Sequence, residues 1–316
     1  MEYQRILVCL DGSELAERIL PFVRLFAKGF KAPVHLLQVV PPLTPDIGNE
    51  PGGPFIELTF QLHKRAEMYL TEVRESLVDA GVDVTFTVEE GDVASLVIAE
   101  AEGTPGTLVA LTTHGRSGAA RWLMGSVTSK VLTATDVPLL VLRTGANEHL
   151  ALRESLERVI VPLDGSEAAE MVLPSVAALA KAIDLEVVLV RVTPSGGDYL
   201  RYMEYHYELG PGSTLARVYE GPFEEYSKES EAKAMDYLDK ITADLKSQGV
   251  KKVQQKLLHG DAAEAIATEA AGMEHNLVAM TTHGRSGIDR WVMGSVTDRV
   301  VRECGDPVLI IRSKRA

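Results

Sequence analysis

The sequence is poor in cysteine: Cys9 and Cys304 are the only two in 316 residues. That is too few for a disulfide framework or a thiolate metal set, so a reducing cytoplasm is the expected compartment. A strand-like run from Arg5 to Leu10, so close to the first residue, reads against a signal peptide. No stretch approaches the ~20 consecutive apolar residues needed to span a bilayer, which argues against a membrane partner. Positive charge is also in deficit, with 32 Lys and Arg against 45 Asp and Glu, a net charge of −13. The deficit is shared, −7 over residues 1–148 and −6 over residues 149–316. Such a surface repels a phosphate backbone, and nucleic acid is excluded as a bulk partner. Several signatures are missing too: a P-loop, a Gly-x-Gly-x-x-Gly fingerprint, zinc-ligand spacing and a Gly-x-Ser-x-Gly elbow. With 46% hydrophobic and 24% charged residues, the chain is nevertheless an ordinary globular one.

What is present is a repeat. Arg5-Ile-Leu-Val-Cys-Leu-Asp-Gly-Ser-Glu14 recurs as Arg158-Val-Ile-Val-Pro-Leu-Asp-Gly-Ser-Glu167, and Leu111–Ser129 recurs as Met280–Asp298 with 14 of 19 positions identical. The first offset is 153 and the second 169, so the second copy carries 16 extra residues, most of them between Arg191 and Tyr237. Two similar domains are expected, 1–148 and 149–316, joined near Gly145 to Arg153.

Within one copy, short apolar runs alternate with helical patterns. Strands are expected at Ile6–Leu10, Val34–Val40, Val82–Val88, Thr107–Thr112 and Val137–Arg143. Between them, Leu15, Ile19, Phe22, Val23 and Phe26 have helical spacing, with Gly29 as the expected stop and a capping box of Asp11 with Glu14 as one role for the aspartate. Further helices are expected at about 62–80, ended by Gly81, at 92–102 with Asp92 as cap, and at 126–134. Alternation of this kind implies an α/β fold, two tandem doubly wound, Rossmann-like, five-stranded parallel sheets with right-handed crossovers. Ligands of such sheets bind beyond the carboxyl ends of the strands. Asp11 and the segment from Thr112 to Ser126 fall there.

That segment reads Thr112-Thr-His114-Gly115-Arg116-Ser-Gly118, then Arg121-Trp, then Met124-Gly125-Ser126-Val127-Thr128; its second copy spans Thr281, His283, Gly284, Arg285, Gly294, Ser295, Val296 and Thr297. Glycines let backbone amides approach an anion, and a serine at a helix start adds its hydroxyl to the free amides of the first turn. A plain turn with a helix cap explains one copy as well. Arg, Ser, Trp and Met repeated along with the glycines ask for more than a turn.

These motifs resemble the universal stress protein family in tandem form, over nearly the whole chain. The family pattern is Gly-x2-Gly-x9-Gly-Ser/Thr. Gly115, Gly125 and Ser126 fit it, as do Gly284, Gly294 and Ser295, while Thr112 and Thr281 stand where the first glycine belongs. A threonine resists positive φ and adds bulk, so weaker affinity is expected there. The resemblance implies binding of an adenine nucleotide, ATP, with any Mg²⁺ arriving on it. It also implies a strand order 3-2-1-4-5. Asp11 and Asp164 would lie beside the adenosine, the backbone of Val39 and Val192 would read the adenine edge, and His114, His283, Arg116 and Arg285 would lie near phosphate. It implies a sensor or regulator in stress response. A slow ATPase or phosphotransferase, and an interaction scaffold with closed sites, are the alternatives.

Two other features stand out. Six of nine tyrosines, Tyr199, Tyr202, Tyr205, Tyr207, Tyr219 and Tyr226, crowd the enlarged segment 195–228, which is expected to pack on its own domain, cover the second site or form a subunit contact. The last strands of the two copies, Pro138–Arg143 and Pro307–Arg312, are apolar and alike. The resemblance implies that they pair within the chain as a pseudo-twofold dimer, since the family often joins domains through their last strands, and an edge so apolar would otherwise aggregate. A homodimer of whole chains is a further expectation from the family.

Overall fold

The computed structural model describes residues 3–42, 54–113, 125–143, 155–194, 220–283 and 293–312. The first half runs β1 (Arg5–Leu10), α1 (Glu14–Glu17), α2 (Leu20–Phe30), β2 (Val34–Val40), α3 (Pro54–Asp79), β3 (Val84–Glu90), α4 (Val93–Glu102), β4 (Thr107–Thr112), α5 (Ser126–Ala134) and β5 (Leu139–Leu142). The second half repeats it as β6 (Arg158–Pro162), α6 (Glu167–Glu170), α7 (Leu173–Ile183), β7 (Glu186–Thr193), α8 (Glu220–Ser247), β8 (Val253–His259), α9 (Ala262–Ala271), β9 (Asn276–Thr281), α10 (Ser295–Glu303) and β10 (Val308–Ile311). The junction between halves falls outside the described residues.

All strands join one ten-stranded sheet, in the order β3-β2-β1-β4-β5-β10-β9-β6-β7-β8. Each half therefore has the expected 3-2-1-4-5 order, and the two last strands meet as expected. Pairing is parallel within each half and antiparallel only at the seam, where Val308 faces Val141, Leu309 faces Leu140 and Ile310 faces Leu139. Helices cover both faces. Ile6, Val8 and Leu10 of β1 pack among Phe22, Phe26 and Leu70 on one face, and Leu7 packs with Val97 and Val131 on the other. Burial on both faces is why these strands read as unbroken apolar runs. Each of the two hydrophobic clusters includes residues from both halves, so the core is continuous across the seam.

Local chemistry corrects several sequence expectations. The single helix expected from Leu15 to Gly29 is two, α1 and α2, because Pro21 lacks the N–H an unbroken helix would need; Pro174 repeats the break between α6 and α7. Gly29 is not the stop. The helix runs on to Phe30, and Lys31 takes the left-handed conformation at φ 53°. Gly29 instead lies against Ile183 and the Ala182 carbonyl, so the missing side chain admits α7 of the other half. The helix expected at 62–80 begins at Pro54, a residue suited to a first helical turn. At its end the Gly81 amide bonds the Val78 carbonyl (2.8 Å) and the Val82 amide bonds that of Leu77 (3.1 Å). That C-terminal motif uses Val82 and delays β3 to Val84. The strand expected at Val137–Arg143 is shorter, Leu139–Leu142.

Candidate functional site

At the carboxyl end of β1, Asp11 and Ser13 form a local unit. One carboxylate oxygen of Asp11 accepts from the Ser13 amide (3.0 Å) and from the Ser13 hydroxyl (2.6 Å), and Ser13 Oγ in turn accepts from the Ala16 amide. The helix cap is thus Ser13, and the expected Asp11–Glu14 capping box is not the arrangement found. Asp164, Ser166 and Ala169 repeat the unit with the same geometry. Asp11 and Asp164 each line a cavity.

There are two such cavities among the described residues, one per half. The first, about 310 Å³, is lined by Cys9, Asp11, Val39, Thr112, Gly125 and Ser126, among others. The second, about 280 Å³, is lined by Pro162, Asp164, Val192, Thr281, Gly294 and Ser295, among others. Their linings correspond residue for residue across the repeat, except that Thr113 lines the first and His283 the second. The duplicated motifs have folded into the same pocket twice.

Val39 and Val192 sit where β2 and β7 outrun their inner neighbours. Ladder pairing of β1 with β2 stops at Leu10–Gln38, and that of β6 with β7 at Pro162–Val190. The Val40 carbonyl accepts from Gly91 and the Thr193 carbonyl from Gly260, both toward the outer strand. Peptide groups alternate sides along a strand, so Val39 and Val192 direct theirs toward the space past the ends of β1 and β6. Each directs its C=O to that space.

The opposite wall is the start of α5 or α10. Gly125 donates its amide to the Thr113 carbonyl (2.9 Å), and Gly294 does the same to that of Thr282 (2.8 Å). A Cβ at either glycine would strike that carbonyl. Glycine is thus required for the backbone to turn tightly enough to aim the first amides of the helix into the cavity. No acidic residue stands in the first turn of α5. In α10, Asp298 does, but Arg302 lies 2.9 Å from it. The hydroxyls of Thr128 and Thr297 are turned inward, donating to the carbonyls of Thr112 (3.1 Å) and Thr281 (2.8 Å), and so tie helix to strand. Val127 and Val296 complete the apolar wall.

Thr112 and Thr281 end β4 and β9, and neither has positive φ; among the described non-glycine residues only Lys31, Asp184 and His275 do. The strain expected of threonine at these positions is therefore absent. Thr281 Oγ1 donates to the His283 carbonyl (2.8 Å), closing the turn after the strand. His283 places Nδ1 3.1 Å from Thr282 Oγ1 at the edge of the second cavity. His114, Gly115, Arg116, Gly284 and Arg285 lie outside the described residues, as does most of the tyrosine-rich segment; Tyr226 is exposed on α8.

Sequence reasoning missed the apolar walls: Cys9, Ala16, Leu37, Val93 and Val97 line the first cavity. Their signal was position, at strand ends and at the start of α4. It missed the asymmetry behind the strands as well. Arg191, in place of Gln38, bonds the Leu163 carbonyl (3.1 Å) and stands 5.8 Å from the Tyr237 ring. Burial and the Glu170 carboxylate raise the Tyr237 phenol well above its ordinary range.

The universal stress protein family profile matches residues 2–143 and again 155–312. The chain belongs to the universal stress protein family. Its two halves are tandem family domains. A universal stress protein of Mycolicibacterium smegmatis is 22% identical over 315 residues, covering 98% of this chain and 97% of the relative. One from Methanocaldococcus jannaschii is 25% identical over 175 residues, covering 55% of this chain and 89% of the relative. The crystal structure of an Archaeoglobus fulgidus universal stress protein superposes with a TM-score of 0.67 at 19% identity, over 99% of this chain and all of that one. At that identity the likeness speaks for the fold. Among the described residues, no helix is long and apolar enough to cross a membrane.

Proposed function

We propose that this family member binds an adenine nucleotide, ATP, in each of two equivalent clefts, one in residues 1–148 and one in residues 149–316, and acts as a sensor or regulator in a stress response. One observation carries the reading: the same cavity occurs twice, with a strand-end aspartate, open strand-edge peptide groups and a glycine-led helix N-terminus converging on it. The carbonyls of Val39 and Val192 suit the amino group of an adenine edge. Asp11 and Asp164 stand where ribose hydroxyls need an acceptor. The amides at Ser126 and Ser295, with the helix dipole behind them, suit phosphate. In a chain of net charge −13 these amides supply local positive potential. No three His, Cys, Asp or Glu residues gather as a metal site among the described residues. A magnesium ion would arrive with the nucleotide, held by its phosphates and water.

Calorimetry of the stripped full-length chain with Mg-ATP tests this. Two binding events per chain are expected, one lost in D11A and the other in D164A. No heat of binding, with intact fold, overturns the reading in favour of a scaffold. Multiple turnovers of ATP lost with His283 would move it toward an enzyme.

A further inference from the structure

The seam between the halves does more than join two sheets. Antiparallel pairing of β5 with β10 carries the end of each strand back past the start of the other. Each strand start follows the helix whose N-terminus faces that half's cavity, so the residue leaving one half's last strand reaches the C-terminus of the other half's cavity helix. In both halves that residue is an arginine. Arg312 Nη1 donates to the carbonyls of Thr133 and Thr135 at the end of α5, each at 2.9 Å, and its Nε lies 3.2 Å from Asp136. Reciprocally, Arg143 Nη1 donates to the carbonyl of Glu303, the last residue of α10, at 3.1 Å.

The last carbonyls of a helix lack intrahelical partners and carry the negative end of its dipole, so a cation with several fixed donors is a suitable cap. Helix α5 has no basic residue of its own in its last turn, and Arg302 in the last turn of α10 pairs with Asp298. A nine-residue helix is too short to hold its position unaided. Its N-terminal turn is pinned within its own half by Thr128 Oγ1 on the Thr112 carbonyl. Its C-terminal end is pinned by the other half. Together with the packing of buried Val131 and Leu132, the two pins fix the amides at Ser126 relative to Asp11; losing the second loosens the helix end and with it their aim.

We infer that Arg312 and Arg143 are crossed positioning residues, each setting the aim of the phosphate-facing helix in the opposite half, so that each nucleotide site is completed by the other domain. This rests on the nucleotide reading above. It predicts a crossed pattern of damage, which loss of general stability would not give. Hydrogen exchange of the full chain, titrated with Mg-ATP, reads the two sites separately through peptides spanning 126–134 and 295–303. In R312Q, the ATP concentration giving half-protection of 126–134 rises about 3- to 10-fold, while that for 295–303 stays within about twofold of wild type. R143Q gives the reverse pattern. R312K retains the charge and loses the planar fork, and shifts 126–134 by an intermediate amount.

Equal weakening of both sites, damage confined to the arginine's own half, or no change overturns the inference while leaving nucleotide binding intact. R312K, the gentler change, decides the matter by the same criteria should R312Q not fold. A folded wild-type chain that ATP protects in neither peptide overturns the nucleotide reading first, and this inference with it.

Discussion

Leu140 and Leu309 face each other across the antiparallel seam, both fully buried, at the point where the two halves become one sheet. They belong to a single hydrophobic cluster that also holds Phe22 of the first half and Leu179 of the second. Truncating either leucine removes packing from both halves at once. Leu309→Ala is expected to cost about 2–5 kcal/mol. Each half carries one tryptophan, Trp122 and Trp291, so single-tryptophan variants can follow the halves separately in urea. Both reporters should shift to the same lower midpoint. A shift confined to the second half would show that the halves unfold independently.

A second contact across the seam is tighter. Gly29 lies against Ile183, with no room for a Cβ. On helix propensity alone, Gly29→Ala in mid-helix would gain about 1 kcal/mol. The contact reverses the sign, and a net loss of about 1–3 kcal/mol is expected from overpacking. Adding Ile183→Ala should make the glycine replacement neutral or stabilising, as a double-mutant cycle in urea would reveal. Additive effects would place the strain elsewhere.

These two contacts mark the boundary of what the sequence made legible. The strands and the duplication of the motifs were readable because each rests on a repeated pattern: apolar runs at strand spacing, Asp-Gly-Ser after β1, Gly-Ser before α5; strand order and the seam followed from the resemblance to the family. Gly29 was misread because a glycine near a helix end looks the same whether it stops the helix or admits a neighbour. The capping box held open as one role for Asp11 is not formed: Ser13 and Asp11 both have capping chemistry, and only the bonds of Ser13 to the Ala16 amide and to Asp11 (2.6 Å) show which caps and which orients. The apolar wall of the cavity was missed because Val93 and Val97 are indistinguishable from ordinary core residues until the neighbouring strand end is placed. Arg143 and Arg312 closed the apolar strands in plain view. Their role depended on the antiparallel register, which no local pattern encodes.

The glycines ahead of α5 and α10 carry a site-specific prediction. Gly125→Ala would push Cβ into the Thr113 carbonyl, and Gly294→Ala into that of Thr282, each displacing the first turn of one helix. Each should weaken nucleotide binding in its own half by about 5- to 150-fold, the equivalent of a shift costing about 1–3 kcal/mol. This is the uncrossed counterpart of the arginine pattern. Site-resolved titration showing both sites equally weakened would count against independent aiming of the two helices.

Acid sensitivity should have two separate windows. His35 bridges Thr85 Oγ1 (2.8 Å) and Thr87 Oγ1 (3.2 Å), with Glu100 at 4.0 Å. Burial lowers its pKa from the usual 6.5, Glu100 opposes that shift and Arg5 adds to it. With the folded pKa below the unfolded one, the unfolded chain takes the proton first, and stability falls as pH drops through 6.5 toward the folded value. Asp92 and Asp184 are lowered from 3.8, by hydrogen bonds from Ser95 and from Lys252 respectively, and their contribution is lost only at lower pH, as it falls through their folded values. His35→Gln should therefore flatten the urea midpoint between pH 6.5 and 5 and leave the deeper acid limb in place. An unchanged slope in the upper window would assign it to another group.

Cys9 offers a chemical reporter on the first cavity. Half-buried Cys9 lines the cavity, and desolvation pushes its thiol pKa up to about 12; Cys304, buried at the C-terminal end of α10, is raised to about 12 as well, by burial and then by Asp306. The thiolate is the reactive form, so at pH 8 a pKa near 12 leaves on the order of one thiol in 10⁴ ionised. Alkylation of both cysteines by iodoacetamide should then run on the order of 10³-fold slower than that of a free thiol. The two differ in what a ligand does to them. A nucleotide seated between Asp11 and Ser126 covers Cys9 and leaves Cys304 untouched, so saturating Mg-ATP should slow modification of the Cys9 peptide severalfold and not that of Cys304, as read by mass spectrometry of the digested protein. Labelling of Cys9 at a free-thiol rate would contradict a raised thiol pKa, and equal protection of both peptides would point to global tightening of the fold instead of a ligand in that cavity.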